Sequence, residues 1–88
     1  MKFNELKTVL KLLFPECKVQ GIPGVLTCSS DSILFDIFAK DSLADNHITH
    51  ADLYIYNGFE DVFNRLKGLS KVTRIDNFIY YIEFKEDE

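Results

Sequence analysis

The sequence predicts an α+β domain: a mainly antiparallel sheet with two amphipathic helices on one face, in the order α-β-β-β-β-α-β-β. Three observations carry this. Apolar residues recur at helical spacing twice, as Leu6, Val9, Leu10 and Leu13 and again as Phe59, Val62, Phe63, Leu66 and Leu69. Elsewhere they alternate at period two, as in Ile33, Phe35, Ile37 and Ala39. The segments joining the alternating runs are short and built from turn residues, such as Gly21-Ile22-Pro23-Gly24 and Asp76-Asn77.

The first helix is expected to start with Asn4 as N-cap and Glu5 in its first turn, with Lys2, Lys7 and Lys11 available for the polar side. Pro15 disfavours helical geometry at Phe14, so the helix should stop there. A short strand over Lys18-Val19-Gln20 leads to Pro23-Gly24. Proline presets φ at one position and glycine accepts positive φ at the next, the order a type II turn needs. The chain returns through Val25-Leu26-Thr27-Cys28, and Ser29-Ser30-Asp31-Ser32 connects to a strand from Ile33 to Ala39. Its Ile33, Phe35, Ile37 and Ala39 face is core, while Leu34 and Phe38 flank Asp36 on the other.

Residues 40–49 read mostly as loop. The next strand, about His50 to Tyr56, points Ala51, Leu53 and Ile55 inward and His50, Asp52, Tyr54 and Tyr56 outward. Asn57 is the expected cap of the second helix, with Glu60 at its third position and Gly68 at its end. Val72 to Ile75 and Phe78 to Phe84 form a final hairpin around a two-residue Asp76-Asn77 turn. Phe78, Tyr80, Ile82 and Phe84 then share one face and Ile79, Tyr81, Glu83 and Lys85 the other. Glu86-Asp87-Glu88 reads as a frayed acidic end.

With both helices on one face, the other is left to Leu34, Phe38, Tyr54, Tyr56, Ile79 and Tyr81. A chain of 88 residues has no third layer for that surface, which is then either an interface or a tolerated aromatic patch. The same length allows one core and one domain over residues 1–88 and rules out a two-domain enzyme. Eight Phe and four Tyr supply more apolar area than a disordered segment carries. No apolar run approaches the roughly 20 residues that span a bilayer, and Glu5, Lys7 and Lys11 break up any signal-peptide core. Cys17 and Cys28 match no metal or redox spacing and read as reduced thiols. A disulfide between them stays open, because the Gly21 to Gly24 turn can set their segments side by side.

The net charge of −4 is unevenly spread. Asp31, Asp36, Asp41, Asp45, Asp52, Glu60 and Asp61 face Lys40 alone within residues 31–61, a net −6. Such a band disfavours direct nucleic-acid binding and permits a basic protein partner. A solvated face that maintains solubility is the plainer use.

No constellation of catalytic residues stands out. Asp45, His47, His50 and Asp52 have metal-ligand chemistry, but on an extended segment the first two point away from the last two, so a polar loop leading into a strand is the expectation. The Ser29 to Ser32 run lacks a nucleophile elbow, and neither Gly21-x-x-Gly24 nor Asn57-Gly58 is a phosphate loop. Glu60 and Asp61 suit the positive end of the second helix. No enzyme activity, metal or cofactor is therefore expected. Tyr54, Tyr56, Tyr80 and Tyr81 could stack bases, but without a basic surround protein contact is the better use.

Leu43-Ala44-Asp45-Asn46, Asp52-Leu53-Tyr54-Ile55-Tyr56, the helix from Phe59 to Leu69 and Ile79-Tyr80-Tyr81-Ile82-Glu83-Phe84 together resemble the small tail-terminator or tail-completion proteins of long-tailed bacteriophages. The resemblance is best over residues 43–84. It implies a non-catalytic part, in the host cytoplasm or the virion, that associates with tail proteins or with itself, and no membrane role. On that reading Tyr54, Tyr56 and Tyr81 are the contact residues. The alternative is a small acidic phage or mobile-element inhibitor of a host defence nuclease, of the anti-CRISPR or anti-restriction kind. It would occupy the nuclease's nucleic-acid channel through Asp41, Asp45, Asp52 and Asp61.

Overall fold

A computed structural model describes residues 2–39 and 48–85. The expected element order is found: α1 (Phe3–Leu13), β1 (Lys18–Ile22), β2 (Val25–Ser29), β3 (Leu34–Phe38), β4 (His50–Asn57), α2 (Phe59–Leu66), β5 (Ser70–Arg74) and β6 (Ile79–Phe84). The strands form one sheet in the order β1-β2-β3-β4-β6-β5, and every neighbouring pair is antiparallel. The first four strands meander. After α2 the chain lays β5 at the far edge, and β6 returns into the gap between β4 and β5.

The periodicities explain which side each helix takes. Leu6 and Leu10 of α1, Phe14 just after it, and Val62 and Leu66 of α2 are fully buried. They meet the inward residues of the sheet, among them Leu26, Cys28, Phe35, Ile37, Leu53, Ile82 and Phe84. Each such side chain contributes about 1.5–3 kcal/mol through burial. Phe14 and Phe35 pack ring to ring with centroids 5.0 Å apart. Among the described residues Ser70 is the one buried polar side chain, and its hydroxyl donates to Leu66 O at 2.8 Å.

Several local details depart from expectation. The N-cap of α1 is Lys2, not Asn4, because the Glu5 carboxylate reaches back to accept from the Lys2 backbone N–H at 3.0 Å and fixes an earlier start. The helix does end at Phe14, before Pro15. Asn57 finishes β4 and Gly58 caps α2, in left-handed geometry with φ of 78°. A Cβ at Gly58 would lie 2.7 Å from Ser32 O and 3.0 Å from Ile33 Cγ1, so glycine is required on two grounds. Gly68 is not a cap: the C-cap is Lys67 in right-handed geometry, and the Ser70 hydroxyl satisfies the Leu66 carbonyl.

The Pro23-Gly24 turn joins Ile22 to its partner Val25, with φ of 88° at Gly24 as its sequence demands. The last hairpin is looser than a two-residue turn. The backbone N–H groups of Ile75 and Asp76 both donate to Ile79 O, at 2.9 and 3.0 Å, so residues 75–78 all belong to the loop. Cys17 and Cys28 are free thiols. Burial, with smaller contributions from Cys17 and Asp36, pushes the Cys28 thiol up to about 12. Among the described residues no helix is long and apolar enough to cross a membrane.

Candidate functional site

The register of the sheet builds its helix-free face residue by residue. One row crosses all six strands as Ile22, Val25, Phe38, Asp52, Tyr81 and Thr73. The adjacent row runs Gln20, Thr27, Asp36, Tyr54 and Ile79. Between these positions the chain points its buried residues to the other side, which is why the two faces differ so sharply in composition.

Between β3 and β4 the register slips. Leu34 pairs with Asn57 and Phe35 with Ile55, so Tyr56 is the extra residue of a β-bulge. Bulges bend a strand and re-aim a side chain. Here the Tyr56 phenol donates to Asp36 Oδ2 at 3.2 Å, while Thr27 Oγ1 donates to Asp36 Oδ1 at 2.7 Å. Partial burial first, and then the Asp36 carboxylate, raise the Tyr56 hydroxyl above its ordinary titration range.

Further aromatic rings share this face with the carboxylate and with Tyr56. Phe38 meets Tyr54 edge to face at 5.0 Å, and Phe78 lies 5.9 Å from Tyr54 and 5.7 Å from Tyr56. One row along, Tyr81 faces His50 at 5.7 Å. Tyr56 and Phe78 are 49% and 44% exposed and Ile22 67%, which is large for apolar groups on one open face. Polar residues border the patch: His50, Glu83 and Lys71 form a cross-strand row at one end.

Tyr54 and Tyr56 are thus brought together, and Tyr81 lies on the same face directly across from Asp52. Phe78 was expected to face inward with Tyr80. The four-residue loop takes it out of the strand alternation and sets its ring against Tyr54 and Tyr56. The only sequence signal for this was the polar pair before it, which suits a longer loop as well as a tight turn. Tyr80, considered above for base stacking, is buried and stacks on Phe59 at 5.1 Å.

The described acidic residues do not form a single surface. Asp52 is exposed on the open sheet face, whereas Asp61 is exposed in the first turn of α2, in the helical layer. Asp41 and Asp45 lie outside the described residues, as does His47. Among the described residues no group of three or more His, Cys, Asp and Glu is placed to hold a metal. Ser30 serves a turn, its hydroxyl accepting from the N–H groups of Ser32 and Ile33 at 3.3 and 3.1 Å. What the face offers is therefore contact area with a fixed carboxylate inside it. No family model, curated protein or solved structure matches the chain.

Proposed function

We propose that this protein is a non-enzymatic assembly subunit that works through protein–protein contacts made by the open face of its sheet. The observation that supports this is the aromatic surface of Phe38, Tyr54, Tyr56 and Phe78, with Tyr81 beyond Asp52 on the same face, over which no second layer lies among the described residues. Apolar patches with polar borders are how protein interfaces are built, and tyrosine gives large contact area at little entropic cost. The resemblance of residues 43–84 to phage tail-completion proteins gives the role its specific form, a virion component acting in the host cytoplasm and joining tail proteins or copies of itself.

The test is the triple variant Tyr54→Ser, Tyr56→Ser and Tyr81→Ser. Assembly is followed by light scattering and by co-purification with tail proteins from infected cells, and folding by circular dichroism. Assembly should weaken at least about tenfold, since interface aromatics carry most of the binding energy, while the fold persists. Unchanged assembly would overturn the reading.

A further inference from the structure

We propose that the open face receives cationic side chains of its protein partner, arginine foremost, at Asp36 and Asp52. This rests on the reading of that face as a protein-contact surface and names the chemistry of what it contacts. Both carboxylates sit within the aromatic patch: Asp36 of β3 is paired with Tyr54 of β4, and Asp52 lies between Phe38 and Tyr81. Among the described residues neither carboxylate forms an ion pair; Arg65, which does form one, bonds Glu16 away from this face. A partner covering the rings would also strip water from two negative charges. Removing a charge from water is strongly unfavourable unless an opposite charge meets it, so a well-fitting partner must bring cations.

Local geometry specifies the kind of cation. Thr27 and Tyr56 each donate one neutral hydrogen bond to Asp36, one to either oxygen, which orients the carboxylate and leaves lone pairs for further donors. Tyr54 and Phe38 meet edge to face at 72°, and Tyr56, whose phenol bonds Asp36, packs against Phe78 at 32°, so rings at several inclinations lie on the same face as the carboxylate. A guanidinium can donate to a carboxylate and stack on a ring at once, which an ammonium does less well. Asp36 and Asp52 are diagonal cross-strand neighbours, a relationship that separates residues by about 7–8 Å. Alternate side chains of an extended peptide are about 6.8 Å apart. A partner segment with cations at positions i and i+2 matches both.

The probe is the peptide acetyl-Gly-Arg-Gly-Arg-Gly-amide, titrated into the 15N-labelled full chain by NMR, with the neutral isostere carrying citrulline at both arginine positions as control. Saturable shifts centred on Asp36, Asp52, Tyr54 and Tyr56, weakened about tenfold or more by citrulline as charge-assisted bonds require and reduced by salt, are expected. In the Asp36→Asn, Asp52→Asn double variant, its fold checked by spectral dispersion, the shifts should be lost. Equal binding of the citrulline peptide, or shifts centred on the helical layer, would overturn the assignment without needing any variant. So would a dimer that forms through this face and persists in the double variant, since a second copy would then be the occupant without cation recognition. These results are separable from failure of the parent reading, which would show as assembly that ignores the loss of Tyr54, Tyr56 and Tyr81.

Discussion

Arg65 of α2 grips Glu16, just beyond α1, through two parallel hydrogen bonds of 2.7 Å, Nη1 to Oε1 and Nη2 to Oε2. The same guanidinium donates to Leu13 O at 3.2 Å and lies 4.9 Å over the Phe14 ring. One side chain thereby ties the end of the first helix to the second, two elements that are far apart in sequence.

This pairing makes stability depend on pH in a defined window. The Arg65 hydrogen bonds hold the Glu16 carboxyl at about 2, against an ordinary 4.5. A depressed acid favours folding in its ionised form, so its contribution is complete above about pH 4.5 and is lost as pH falls toward 2. Both groups are substantially exposed, which keeps the effect small. The melting temperature of the Glu16→Gln variant should lie below that of the parent at pH 6, with the gap closing between pH 4.5 and 2. A gap independent of pH would assign the effect to packing.

Gly58 and Gly68 should respond oppositely to alanine. Gly58→Ala combines positive φ with a Cβ 2.7 Å from Ser32 O, and a loss of about 1–3 kcal/mol is expected. Among the described residues nothing lies within 4 Å of where a Gly68 Cβ would sit, so Gly68→Ala should be neutral or gain up to about 1 kcal/mol through the unfolded chain. Urea unfolding of the two variants checks both signs.

The two thiols should differ in reactivity. With its thiol raised to about 12, Cys28 has a thiolate fraction of only about 10⁻⁴ at pH 8, and it is buried besides. Ellman's reagent should modify the half-buried Cys17 in the native protein and reach Cys28 only on unfolding. Fast labelling of both would contradict the packing of β2.

Phe35 sits at the meeting of α1 and the sheet, fully buried and in contact with Phe14. Phe35→Ala should cost about 3–5 kcal/mol, a large part of the roughly 5–15 kcal/mol that holds domains of this kind together. Denaturant titration would show a lower midpoint; an unchanged midpoint would mean that this core is not formed as described.

Much of this architecture was legible because burial writes itself into spacing. Leu6 and Leu10, or Ile33, Phe35 and Ile37, recur at the period of their element, and the structure buries each of them. The helix end at Phe14 and the Pro23-Gly24 turn followed from backbone sterics that act locally. The caps were less legible, since Glu5 bonding Lys2 and Ser70 bonding Leu66 are competitions among neighbours that propensity alone does not decide. Least legible was the open face. Tyr54 and Tyr56 follow from alternation, but the bulge at Tyr56 depends on how β3 meets β4, and the position of Phe78 depends on how wide the last loop is. The separation of Asp52 from Asp61 was hidden for the same reason, because a run of charge along the chain says nothing about which layer each residue joins.

The placement of β6 between β4 and β5 bears on how the molecule acquires its shape during synthesis. As the ribosome releases the chain, β1 to β4 can pair in the order they emerge, each with the strand just before it. β5 is then made with no partner, and β4 keeps one unsatisfied edge, until β6 is available to pair with both. Tyr81, brought in by that strand, pairs with Asp52 of β4. The open face is therefore completed last, and a nascent chain stalled before Ile79 would present two sticky strand margins in place of a finished binding surface.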